Sequence, residues 1–115
     1  MALKLMYITN HPKVAQIAEE AGVDRIFVDM EYIGKSARQV GLDTVQSHHT
    51  LLDVAAIRNS ICKAELLVRC NPIHDASEGV MSTEEEIDGI ISNGADIVML
   101  PYFKTPDEVK RFLAA

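Results

Sequence analysis

Tryptophan is absent from this 115-residue chain, and aromatic residues make up only 5% of it. A core with so few rings must be filled by aliphatic side chains, and these are plentiful: hydrophobic residues reach 48%. Cysteine is scarce as well. Cys62 and Cys70 are too few for a disulfide framework or for the four ligands of a structural zinc site. Positive charge is in deficit, with 11 Lys and Arg against 17 Asp and Glu and a formal net charge of −6. Such a chain is a poor match for a phosphate backbone, which argues against a nucleic-acid partner. No apolar run approaches the roughly 18 residues of a membrane span, so no membrane partner is expected. The first ten residues lack a signal-peptide layout and read as a first strand with its loop. The expectation is one small domain, residues 1–115, in the cytoplasm.

What is present is a rhythm of short apolar runs and helical stretches. Its centre is Arg25-Ile-Phe-Val-Asp-Met-Glu31, a strand-like run that closes on two carboxylates. Side chains alternate along a strand, so Asp29 and Glu31 point the same way. Upstream, residues 3–8 read as a strand. Thr9 or Asn10 can cap a helix over 12–21, with Pro12 in its first turn and Val14, Ile17, Ala18 and Ala21 on one face. Gly22 stops that helix and a strand follows over 25–30. Residues 32–50 are irregular and polar, with His48-His49 adjacent. Thr50 can cap a helix over 51–63, and Glu65 to Cys70 is the third strand. Ser82 or Thr83 opens a helix whose Glu84-Glu85-Glu86 suits the helix dipole and reads as a solvated start. Asn93-Gly94 stops it, Asp96 to Leu100 is the fourth strand, and a last helix covers 106–114 with Val109, Phe112 and Leu113 inward.

This βαβαβαβα order calls for a parallel sheet with right-handed crossovers. An internal repeat agrees with it: Glu20-Ala-Gly-Val-Asp-Arg-Ile-Phe-Val-Asp29 echoes Ser92-Asn-Gly-Ala-Asp-Ile-Val-Met-Leu-Pro101. Parallel strands bring their carboxyl ends to one rim, where ligands of α/β proteins bind. That rim collects Thr9, Asn10, His11, Asp29, Glu31, Tyr32, Arg69, Asn71, Tyr102 and Lys104. An arginine facing two carboxylates suits a small anionic substrate, because guanidinium grips a carboxylate at two points. Asp29 or Glu31 can accept a proton, orient a base or touch a metal through water. The plainer reading stands beside it: Arg69 ends an apolar run and needs a partner, which Asp29 or Glu31 can be. His11 and His74 are loop histidines, proton carriers or polar surface. Cys70 reads as a small core residue.

Three motifs carry a resemblance. Val28-Asp-Met-Glu31, Leu67-Val-Arg-Cys-Asn-Pro72 and Gly94-Ala-Asp-Ile-Val-Met-Leu-Pro101 together resemble the HpcH/HpaI aldolase and citrate lyase family. The resemblance covers nearly the whole chain. It implies a phosphoenolpyruvate/pyruvate-type (β/α)8 barrel that makes or breaks carbon–carbon bonds through a metal-bound pyruvate or acetyl-CoA enolate. It further implies that Arg69 holds the substrate carboxylate or enolate oxygen, and that Asp29 and Glu31 support a Mg2+ or Mn2+ ion and the catalytic base. Asn71 and Tyr102 would line the substrate pocket. The aldolase branch has a histidine where this chain has Tyr32, so His48 or His49 is the replacement proton carrier.

The family's principal metal ligands lie on later strands, and four βα units are half of an eight-unit barrel. The expected fold is therefore a (β/α)4 half-barrel completed by dimerisation, because open edges and an uncovered aliphatic face pair with something. Two functions follow. One is a metal-dependent lyase or aldolase acting on a 2-oxo acid or acyl-CoA-type substrate, weak or inactive in this length. The other is a non-enzymatic, self-assembling half-barrel. A flavodoxin-like or receiver domain also suits short βα repeats, but a receiver ends its third strand in aspartate where this chain has Arg69.

Overall fold

The computed structural model describes residues 3–31, 50–77 and 80–115. Its elements alternate as expected: β1 (Met6–Ile8), α1 (Pro12–Glu20), β2 (Arg25–Asp29), α2 (Leu51–Ser60), β3 (Glu65–Arg69), α3 (Thr83–Ser92), β4 (Ile97–Met99) and α4 (Pro106–Ala114). The four strands form one sheet in the order β1-β2-β3-β4, and every neighbouring pair is parallel.

Alternation along the strands divides the sheet into two faces. Ile26, Val28, Met30, Leu66, Val68 and Cys70 point one way and join a single apolar cluster with Ala15 and Ala18 of α1, Val54 and Ile57 of α2, and Ile90 of α3. Phe112 of α4 packs against the same cluster. The four described helices thus lie on one face. The other face carries Ile8, Phe27, Leu67 and Ile97, which sit level with one another by strand register.

The internal repeat has a structural meaning. Gly22 and Gly94 both adopt φ 103°, a left-handed conformation that glycine reaches without a Cβ penalty. Two residues on, each repeat places an aspartate that clasps the preceding strand. Asp24 gives its N–H to Leu5 O and accepts Leu5 N on Oδ2 at 2.9 Å. Asp96 gives its N–H to Leu66 O and accepts Leu66 N on Oδ2, also at 2.9 Å. A short motif therefore ends a helix and sets the register of the next strand.

Local differences have local causes. The residue capping α1 is His11, not Thr9 or Asn10; Pro12 begins the helix, and Thr9 Oγ1 instead accepts the His11 N–H at 3.0 Å. The buried side of α1 is Ala15 and Ala18, while Ile17 is 57% exposed. Small alanines let α1 lie close to β2 and α2, which turns the larger side chain outward. Helix α2 stops at Ser60 because the next amides turn to another partner: Cys62, Lys63 and Ala64 N–H groups donate to Glu19 Oε2 at 2.9, 2.6 and 2.7 Å. Helix α4 buries no residue fully, and Leu113 points to solvent. The caps at Ser82 and Thr105 accept Glu85 N and Glu108 N, and Thr50 N donates to Asp53 Oδ2 at 2.7 Å.

Candidate functional site

Asp29 and Arg69 are register partners at the carboxyl ends of β2 and β3. Their side chains share the face away from the helices, so the strand pairing itself brings them together. The guanidinium forks onto the carboxylate, Nε to Oδ1 at 2.9 Å and Nη2 to Oδ2 at 2.6 Å. Asp29 Oδ1 also accepts the Glu31 N–H at 3.1 Å. Glu31 is fully buried, with Oε2 3.9 Å from Arg69 Nε. The Phe27 ring lies 5.6 Å from the guanidinium carbon, a cation–π distance. The hydrogen bonds from Asp29 raise the Arg69 pKa, against the opposing effect of burial and with help from the Asp29 and Glu31 charges. Asp29 is buried, whereas Arg69 keeps about a quarter of its side chain in contact with solvent. Among the described residues its Nη1 takes no hydrogen-bond partner.

The other rim residues divide. Tyr102 is exposed and holds a positive φ of 53°, unusual for a side-chain-bearing residue. Lys104 N donates to Glu108 Oε2, which ties the loop after β4 to α4. Asn71 is buried and turned toward the helices: its N–H and Nδ2 donate to Glu86 Oε1 and Oε2 at 3.1 and 2.6 Å. His11 is exposed at the cap of α1. The His74 ring lies between two carbonyls, Nδ1 2.6 Å from Pro72 O and Nε2 2.6 Å from Met81 O, and so holds its own loop together. His48, His49 and Tyr32 lie outside the described residues.

Glu86 corrects the reading of the Glu84–Glu86 run as a solvated helix start. It is 3% exposed, and burial raises its pKa while the Asn71 donors pull the other way. The clue was present in the sequence. Thr83, Glu86, Ile87 and Ile90 follow helical spacing on one stripe, and all four are buried. Glu86 and Asn71 also line a cavity of about 290 Å³ on the helix side, bounded by Met30, Leu51, His74 and Met81. Cys70 lies beside them, with its thiol pushed up to about 12 by burial and by the Glu86 charge.

Among the described residues no three His, Cys, Asp or Glu side chains converge as a metal-ligand set. Asp29 and Glu31 are two carboxylates already turned to a cation, a donor set suited to supporting a divalent ion through water and too small to hold one alone. Among the described residues no helix is long and apolar enough to cross a membrane. The chain matches no protein-family model and no curated protein.

Proposed function

We propose that this chain is a (β/α)4 half-barrel whose carboxyl rim binds a small carboxylate through Arg69. More particularly, we infer a metal-dependent carbon–carbon lyase or aldolase that acts on 2-oxo acids or acyl-CoA-type substrates. The observation that carries this reading is the Arg69–Asp29–Glu31 cluster. It sits at the carboxyl ends of parallel strands, on the face away from the described helices, with its guanidinium in reach of solvent. Arg69 Nη1 would receive the ligand carboxylate, or the substrate oxygen that gains negative charge. Asp29 holds the guanidinium plane in position. Glu31 adds negative potential beside it, and with Asp29 would support Mg2+ or Mn2+ through water. When bound, that ion would supply Lewis-acid polarisation of the 2-oxo oxygen.

The test is titration calorimetry with pyruvate and oxalate, with and without Mn2+, together with release of pyruvate from a 4-hydroxy-2-oxo acid. Binding and release are expected in the wild type and lost in Arg69→Lys, which keeps the charge without the fork. A wild type that neither binds a carboxylate saturably nor releases pyruvate overturns the proposal. A second reading has a specific observation in its favour: the fork onto Asp29 is already two-point, as in a purely structural ion pair. In that non-enzymatic, self-assembling half-barrel, Arg69→Lys changes stability and leaves no binding to lose.

A further inference from the structure

The two outer edges of the sheet match each other. Leu5 O accepts Arg25 N and Thr9 N donates to Phe27 O, both at 3.1 Å. In a parallel ladder alternate residues bond the same neighbour, so Leu5, Tyr7 and Thr9 face β2 while the amides and carbonyls of Met6 and Ile8 face the open edge. At the far side Met99 O accepts Cys70 N, which turns Ile97 and Met99 toward β3 and leaves the amide and carbonyl of Val98 facing the opposite open edge. Among the described residues no strand pairs with either edge. Leu3, Leu5, Met6, Tyr7 and Ile8 are all exposed, five large apolar side chains along a single edge. Parallel sheets are ordinarily covered on both faces, and an open apolar edge is a template for another strand.

We propose that the partner is a second copy of this chain, with β4 of each copy pairing in parallel with β1 of the other around a two-fold axis along the strands. This rests on the half-barrel reading. A copy turned by half a revolution about that axis presents β1 to β4 and β4 to β1 at once. Its strands run in the same direction and its helices stay outside. A partner of another kind would have to offer two parallel edges at matched spacing. Eight strands close with an interior just wide enough for side chains to fill. The level row Ile8, Phe27, Leu67 and Ile97 would then be doubled into a closed apolar layer, covering Ile8, which is 59% exposed in the single chain. Above that layer sits the level of Asp29 and Arg69. Pairing therefore brings the two Arg69 clusters to one mouth, and the carboxylate site becomes shared between the copies.

The experiment is light scattering after size exclusion on the whole chain and on three variants, with circular dichroism to confirm folding. The wild type is expected at twice the chain mass. Ile8→Asp and Ile97→Asp each place a charge on one side of the proposed junction and are expected to run as folded monomers. Ile17→Asp, on the exposed side of α1, is expected to remain a dimer. A monomeric wild type overturns the proposal. So does loss of dimer in Ile8→Asp but not in Ile97→Asp, which would mean that β1 pairs with β1. A dimer broken by Ile17→Asp would place the contact on the helices and overturns it equally. Carboxylate titration on the same samples keeps the two readings apart: a monomer that still binds oxalate removes the pairing and spares the site, and a dimer that does not bind it supports the pairing alone.

Discussion

Removing the Arg69 side chain takes the guanidinium from a carboxylate that the fold has enclosed. In the native protein the fork carries two charge-assisted hydrogen bonds, and such bonds contribute roughly 1.5–3 kcal/mol each. The two ends differ in their surroundings. Asp29 keeps only 7% of its side-chain surface, so without the guanidinium it is close to the buried case, where losing one partner costs about 3–5 kcal/mol. Arg69 is 27% exposed, which moves the pair part of the way toward the surface value of about 0–1 kcal/mol. Between those limits Arg69→Ala should destabilise by about 3 kcal/mol. Asp29→Asn should destabilise less, about 1 kcal/mol, because the amide oxygen still accepts from Glu31 N or Arg69, and Arg69 retains Glu31 and water. The assay is urea unfolding followed by circular dichroism at a single protein concentration, which keeps any association constant. With a slope of about 1.5 kcal/mol/M, the midpoint should fall by about 2 M for Arg69→Ala and by less than about 1 M for Asp29→Asn. An aspartate variant as damaging as the arginine variant, or an arginine variant within about 0.3 M of wild type, would refute the assignment of Asp29 as the enclosed partner.

Glu86→Ala should destabilise by about 2–4 kcal/mol, because it removes two hydrogen bonds to Asn71 and a buried side chain, whereas exposed Glu85→Ala should stay within about 0.5 kcal/mol; equal effects in urea unfolding would reject the buried role of Glu86. Cys62 is exposed and Cys70 buried with a thiol pKa near 12, so a disulfide reagent at neutral pH should titrate one thiol in the folded protein and two after denaturation. Gly94→Ala should lower the melting temperature more than Gly22→Ala: both glycines share φ 103°, but a Cβ on Gly94 would overlap the Arg58 side chain, while one on Gly22 meets nothing within 4 Å. Burial raises the Glu19 pKa, but the Ala64, Lys63 and Cys62 amides outweigh it and hold the carboxyl below its ordinary 4.5. Its contribution to stability is therefore present above that value and lost as pH falls through the lower folded value, so Glu19→Gln should narrow the gap in urea midpoint between neutral and acid pH.

The order of elements was legible in the chain because each one carries its own local instruction. Short apolar runs, helical spacing, Pro12 and Pro106 at helix starts and Gly22 and Gly94 at helix ends act within a few residues. The pairing of Asp29 with Arg69 was legible too, since a strand-end arginine after an apolar run needs an anion and the neighbouring strand offers two. Rotation of the helices was harder to read. Ile17 fits the apolar stripe of α1 as well as Ala15 does, and only the closeness of β2 and α2 selects the alanines. Leu113 was misplaced for a related reason: α4 meets the core through Phe112, and Leu113 beside it turns to solvent.

The βα alternation, the glycine stops and the identity of the acidic and basic rim residues were written in the chain itself, because each depends on a few neighbouring residues. It took the folded chain to show that Glu86 is drawn inward to Asn71, that three amides after α2 close on Glu19, that Asp24 and Asp96 clasp the preceding strands, and that the four described helices share one face while Ile8, Phe27, Leu67 and Ile97 line the other. Those features join residues far apart in the chain, and a contact between distant segments has no local pattern until the strands have set their register.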